Sequence, residues 1–443
     1  MTPIVRASST DLMELASETA GFPMQVAAVL VLDTEAPLDL AEVRRTLAER
    51  IPAAPRLRQR LVRAPYGGGR PLWVDDPRFH IDHHVHAVRC PEPGDEAALL
   101  GVAGRAATDR LPFDRPLWAA TLVTGLAGGR SAVVIALHHV LSDGIGGLAV
   151  LARLVDGVPG PGARSGFPRP MPSRREMFAD AFASRLRAVA QLPSRVRRAG
   201  AGLAELKPAS TPLAPRCSLN RPVGPRRTLA VARADLRAVH DTAHRHGGTV
   251  NDAVLSAVAG ALRTVLRHRG EDADRFVFSV PVSSRRAASV TQLGNQVGVI
   301  PMDVPATGDA VSRLAAIART SRHRKTATPG ASAALLAPVL RALARLGVLR
   351  WYVSRQRLVT TFVTNLHGPE TRLSFLGAPV AEVIPVGMTT GNVTVAFAVL
   401  SYAGTLVVTA VADPGTCPDL PVLAASLQAE LDTLTAYAEA PVS

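Results

Sequence analysis

The run SAVVIAL, residues 131–137, constrains this chain more than any other stretch, because after its serine it carries no polar side chain. A run this short and this rich in β-branched residues suits a central strand covered on both faces. His138 and His139 follow at once, and then Ser142, Asp143, Gly144, Gly146 and Gly147 read as a tight turn. The next stretch, LAVLARLVD (148–156), has the apolar spacing of a helix. Strand, polar turn and helix follow in order, with two imidazoles and a carboxylate placed where the buried strand ends.

Neighbouring side chains on an extended chain point to opposite faces, so His138 and His139 cannot both face one cavity unless the strand has already broken. One of the pair is therefore expected to be structural. A neutral imidazole, with an ordinary pKa of about 6.5, accepts a proton near neutral pH, and a well-placed general base contributes roughly 10²–10⁴ in rate. The competing reading is a pair of strand-end histidines satisfied by backbone. Asp143 is suited to hold the turn against an arginine elsewhere. Gly144 lets the backbone take positive φ or approach a substrate closely.

The stretch His138-His139-Val140-Leu141-Ser142-Asp143-Gly144 resembles the HHxxxDG motif of CoA- and carrier-dependent acyltransferases. Further segments narrow the resemblance to the bacterial wax ester synthase/diacylglycerol acyltransferase family, and they occur in that family's order. SSTDLMELASETAGFPMQVAAVLVLD (8–33) is similar to its opening helix and first strand, and DRPLWAATLV (114–123) holds its Pro-Leu-Trp as Pro116, Leu117 and Trp118. RPVGPRRTLAVA (221–232), TVNDAVLSAVAGALR (249–263) with the pair Asn251-Asp252, PVSSR (281–285), GNQVG (294–298) and LSYAGTLVVTAVAD (400–413) complete the series. One departure is TNLHGP (364–369), where His367 replaces a proline of the family pattern.

The resemblance implies an α/β (α+β) chain of two chloramphenicol-acetyltransferase-like domains joined by a helical linker, with the active site in a channel between them. The expected divisions are residues 1–157 for the domain bearing the histidine motif, 158–220 for a Pro-rich and basic helical linker, and 221–443 for a second domain. The linker has independent support. VPGPGARSGFPRPMPS (158–173) interrupts regular structure, residues 175–206 read as one or two basic amphipathic helices, and PASTPLAP (208–215) is a second tether.

Composition fits this frame. The 443 residues are 47% hydrophobic, enough for two ordinary cores. Cys90, Cys217 and Cys417 are too few and too scattered for a disulfide framework or a CxxC site. The amino terminus lacks the basic-then-apolar pattern of a signal peptide, and no run reaches about 18 uncharged apolar residues, so a cytoplasmic protein is expected, peripheral at most to the inner membrane face. The net charge of +14 is nearly all arginine, Lys207 and Lys325 being the only lysines. Guanidinium groups grip phosphates in a bidentate manner, which suits a CoA-bearing donor or an anionic membrane or lipid-inclusion surface. No nucleic-acid partner is expected, because aromatic interleaving is sparse and no nucleic-acid motif is present.

Several motifs have two readings. Thr249 is placed as an N-cap with Asp252 in capping-box position, while the resemblance implies that Asn251 and Asp252 also shape the site. Pro116-Leu117-Trp118 reads equally as a buried turn and core aromatic. Arg285, ending PVSSR, is the expected partner of Asp143, with Arg286 the alternative, and Asn295 either presents its amide to substrate or satisfies a turn. HIDHHVH (80–86) invites a metal reading through His80, His83, His84 and His86. No metal is expected there, because carboxylate support is limited to Asp82 and the residues alternate faces in what reads as a strand. The segment 331–357 is too interrupted by Arg341, Arg345, Arg350, Pro338 and Gly347 to span a bilayer, and suits either a core or a lipid surface.

The expected reaction is acyl-CoA-dependent O-acylation of diacylglycerol or a long-chain alcohol, giving triacylglycerol or wax ester. No cofactor is expected, acyl-CoA being a co-substrate. His139 is the expected general base, His138 orients the loop or lines the channel, and Asp143 holds the turn. The rivals are an O-acyltransferase or carrier-dependent condensation enzyme of specialised metabolism, and a non-catalytic acyl-CoA- or lipid-binding relic.

Overall fold

The apolar run ending in the histidines is a strand, Ser131–His138, buried along its whole length. It belongs to a computed structural model that describes residues 4–8, 11–12, 14–15, 18, 23–141, 144–157, 166–190, 213–283, 297–324, 343 and 347–439. In chain order the first half contains β1 (Gln25–Leu32), α1 (Leu40–Arg50), the hairpin β2 (Gln59–Val62) and β3 (Leu72–Asp75), β4 (Val85–Arg89), α2 (Glu96–Thr108), β5 (Trp118–Thr124), β6 (Ser131–His138), α3 (Gly144–Leu154) and α4 (Arg174–Ala190). The second half contains β7 (Thr228–Asp235), α5 (Leu236–Arg245), α6 (Val250–His268), β8 (Arg275–Ser283), β9 (Val297–Pro305), α7 (Ala310–Arg324) and α8 (Leu349–Val353). It closes with β10 (Thr361–His367), β11 (Ser374–Phe375), β12 (Ala378–Val386), β13 (Val395–Tyr402), β14 (Thr405–Ala412) and α9 (Leu420–Glu439).

Two six-stranded sheets carry the structure, in the orders β11-β12-β1-β6-β5-β4 and β7-β14-β13-β10-β8-β9. In the first, β6 runs antiparallel to both neighbours, β1 and β5. Alternation splits it cleanly: Val133, Ile135 and Leu137 enter the core under α1 and α3, while Ala132, Val134 and Ala136 face α2. In the second sheet the paired β13 and β14 pack against α6 and α9, whose Val258, Leu262, Leu427 and Leu431 fill the core.

The sheets do not follow the linear division at residue 221. β12, from the second half, pairs with β1 and so extends the first sheet. Periodicity reports that Ala378–Val386 is a strand but not which partner it takes, since that depends on a pairing across more than three hundred residues. The two sheets are tied by Arg233 of β7, whose guanidinium contacts Glu382 of β12 at 2.5 Å and also Glu96 of α2. Apolar groups cross too: Val407 and Val411 of β14 join the cluster around α2, and Leu400 and Tyr402 join that under α3.

Two local expectations are corrected. The helix after the histidine motif begins at Gly144, so GIGG is its first turn and not a tight loop. That turn packs beside β6, where a Cβ on Gly147 would meet Leu137 at ordinary contact distance. In HIDHHVH, Ile81–His83 is a 3-10 turn and the strand starts only at Val85, so the histidines do not alternate across a sheet. Of the basic linker, Arg174–Ala190 is helix and residues 191–212 lie outside the described residues.

Candidate active site

The end of β6 separates the two histidines. His138 is its last residue and only 1% exposed, whereas His139, one residue on, keeps 20% of its side chain accessible. Both ring nitrogens of His138 are engaged. Its Nδ1 accepts the backbone N–H of Val140 at 3.0 Å, which puts the proton on Nε2, facing Glu18 Oε2 at 3.2 Å. Phe113 meets the same ring edge-on, 5.7 Å between centroids. The His138 backbone N–H donates to Leu117 O, and that of His139 donates to Met24 O, so the motif is gripped from β5 and from the chain entering β1.

The N-terminal segment supplies the carboxylates. Ser8 and Asp11 cap it reciprocally, Asp11 Oδ2 accepting the Ser8 N–H and Ser8 Oγ accepting the Asp11 N–H. Glu18 N donates to Glu14 O at 3.1 Å, so the two glutamates stand one helical turn apart on one face. Glu18 sits against His138, with Arg110 3.9 Å away on its other oxygen. Glu14 Oε1 lies 3.7 Å from His139 Nδ1, within ion-pair range. The register of β1 on β6, Gln25 opposite His138, delivers this segment to the motif. The E-x-x-x-E spacing in MELASE (13–18) was visible in the sequence, but only the strand pairing shows what it faces.

The Pro-Leu-Trp segment forms the wall behind His138. Leu117 and Trp118 are 1% and 2% exposed, and Trp118 Nε1 donates to Leu57 O at 2.8 Å. The ring of His84 stacks on Trp118 at 4.6 Å and donates through Nδ1 to Trp118 O. Burial pushes the His84 imidazole down to about 4, so this ring is a neutral packing element.

Asn251 and Asp252 stand at the start of α6, in the layer of the second sheet. Asp252 is 2% exposed: Oδ2 accepts from the Thr249 N–H and hydroxyl at 2.8 Å, and Oδ1 accepts from Ser321 Oγ of α7 at 2.6 Å. These bonds run within that layer and not to the histidines. Gly144 opens α3. Asp143, Arg285, Arg286 and Asn295 lie outside the described residues. His367, where the sequence departs from the family pattern, is paired through Nδ1 with Ser401 Oγ at 3.0 Å.

Two joined sheets, with a histidine pair at the end of a buried central strand and a carboxylate against each ring, define an acyltransferase of the histidine-motif class. The chain belongs to the wax ester synthase/diacylglycerol acyltransferase family, whose catalytic-domain profile matches residues 8–254 and whose C-terminal-domain profile matches residues 293–435. A putative diacylglycerol O-acyltransferase of Mycobacterium tuberculosis is 30% identical, covering 94% of this chain and 87% of its own length. A probable diacylglycerol O-acyltransferase of the same organism is 29% identical, with 94% and 92% covered. The fold is similar to that of the Marinobacter aquaeolei wax ester synthase/diacylglycerol acyltransferase, with a TM-score of 0.72, 23% identity, and 98% and 100% of the two chains covered. It is also similar to the starter condensation domain of rhizomide synthetase, TM-score 0.62 and 18% identity, with 99% and 95% covered.

Proposed function

We propose that the protein transfers a fatty acyl group from acyl-CoA to the hydroxyl of diacylglycerol or a long-chain alcohol. Family membership makes it an O-acyltransferase; the choice of donor, acceptor and base is our reading. The observation that carries it is the unequal fate of the two histidines. His138 is sealed with both nitrogens bonded, whereas His139 is partly accessible beside Glu14.

In this mechanism Nε2 of His139 is the base, and the Glu14 carboxylate, 3.7 Å from Nδ1, stabilises the imidazolium that proton uptake creates. Nε2 takes the acceptor's hydroxyl proton as that oxygen bonds to the thioester carbonyl carbon. The tetrahedral adduct collapses with cleavage of the C–S bond, and the imidazolium returns the proton to the departing sulfur. Ester and free CoA leave, with no acyl-enzyme on the path. His138 and Glu18 position the strand end.

Because the acceptors are water-insoluble, we place the enzyme at the cytoplasmic face of a lipid surface. Among the described residues no helix is long and apolar enough to cross a membrane. The test is release of CoA thiol and formation of extracted ester from palmitoyl-CoA with diacylglycerol or hexadecanol. Turnover by the native protein and its loss in His139→Ala supports the reading, and absence of ester from every hydroxyl acceptor refutes it.

A further inference from the structure

The helix α4 carries an outward face that no element among the described residues covers. Met177 and Ala181 are buried against the β2–β3 hairpin, yet Phe178, Phe182, Leu186 and Val189 are 43%, 62%, 56% and 67% exposed. Their spacing, four, four and three residues, lines them along one stripe. Beside the stripe, at the tip of the β2–β3 hairpin, Tyr66 is fully exposed. The two elements are held as one body. Arg6 bonds Asp180 and Met177 O on the helix and Arg70 O on the hairpin, and Arg185 donates to Gly67 O at 2.9 Å.

The charge around the stripe is predominantly positive. Arg174, Arg175, Arg185 and Arg187 on the helix are exposed, as are Arg63 and Arg70 on the hairpin tip. The acids of these segments are Glu176 and Asp180, the first bonded to Ser173 and the second to Arg6. A contiguous apolar stripe on a protein surface marks a contact site, and flanking arginines that outnumber the acids of these segments match it to anionic headgroups. Aromatic and aliphatic side chains enter the acyl boundary while the guanidinium groups stay at headgroup level.

We propose that α4 and the tip of the β2–β3 hairpin form a docking surface for an anionic lipid membrane or monolayer. This assigns the contact to residues 63–70 and 174–189; the larger part of 331–357 lies outside the described residues. The proposal rests on the acyl-transfer reading for its purpose but not for its physical basis.

Flotation of the full-length protein with phosphatidylglycerol-containing vesicles, against pure phosphatidylcholine, tests it at low and high salt. The native protein is expected to float with anionic vesicles at low salt and to be released by salt. Phe182→Glu with Leu186→Glu is expected to lower the bound fraction by about tenfold or more, and Arg174→Gln with Arg175→Gln to weaken binding chiefly on anionic vesicles. Unchanged melting temperature, and unchanged turnover of a water-soluble short-chain alcohol, accompany both variants. Native protein that stays unbound at low salt, or a double-glutamate variant that floats like native, overturns the surface. So does a native dimer by light scattering that the same variant dissociates, which assigns the face to a second copy. Normal flotation with no turnover of any alcohol leaves the surface standing and removes the acyl-transfer reading instead.

Discussion

Glu14 stands 3.7 Å from the Nδ1 of His139, while one helical turn on, Glu18 faces the Nε2 of His138 at 3.2 Å. Two adjacent histidines therefore meet two carboxylates through opposite nitrogens. For His138 that leaves no nitrogen for substrate; for His139 it sets a carboxylate beside the ring that we propose as the base.

Replacing His139 by Ala is expected to lower kcat by about 10²–10⁴, the contribution of a general base, with the melting temperature unchanged because the ring is partly exposed. Glu14→Gln is expected to lower kcat roughly tenfold or more by removing the charge that stabilises the imidazolium, with KM for acyl-CoA retained. Steady-state thiol release with palmitoyl-CoA measures both. Native turnover in His139→Ala removes the role.

His138→Ala is expected to behave differently. It strips the Val140 N–H of its acceptor and leaves Glu18 facing a cavity, at a cost of about 1–3 kcal/mol in stability. Urea denaturation separates the two histidines: the 138 variant shifts its midpoint, and the 139 variant does not.

Asp252→Ala removes a helix cap and the tie to Ser321 together. A loss of about 2 kcal/mol is expected, with activity falling in proportion to the folded fraction. Full stability with abolished turnover would move this carboxylate from framework to chemistry.

His84 links stability to pH. Burial holds its folded pKa at about 4, below the ordinary 6.5, so the unfolded chain binds more protons between these values. Stability is complete above about pH 6.5 and is lost as pH falls towards 4, by about 3 kcal/mol over the whole window. His84→Phe preserves stacking on Trp118 and is expected to flatten the dependence in that range. Thermal melts in steps of pH check the slope, and an unaltered slope in the variant assigns it elsewhere.

Much of the site was legible because its signals are local. A capping box needs only residues three apart, so Thr249 and Asp252 declared the start of α6, and an unbroken apolar run declared β6. The GIGG turn was misread because glycine-rich sequence is the usual mark of a loop, whereas here it forms the first turn of a helix. HIDHHVH was misread because three residues of 3-10 turn have no periodicity to detect.

The sequence by itself determined the buried strand, the histidine motif at its end, the capped helices and the family resemblance, all set by neighbours along the chain. Only the tertiary structure decided which histidine is sealed, which carboxylates face the pair, that β12 crosses into the first sheet, and that α4 turns an apolar stripe outward. Each of these depends on strand register or packing between segments from roughly a hundred to more than three hundred residues apart, where a one-residue slip would present the opposite face.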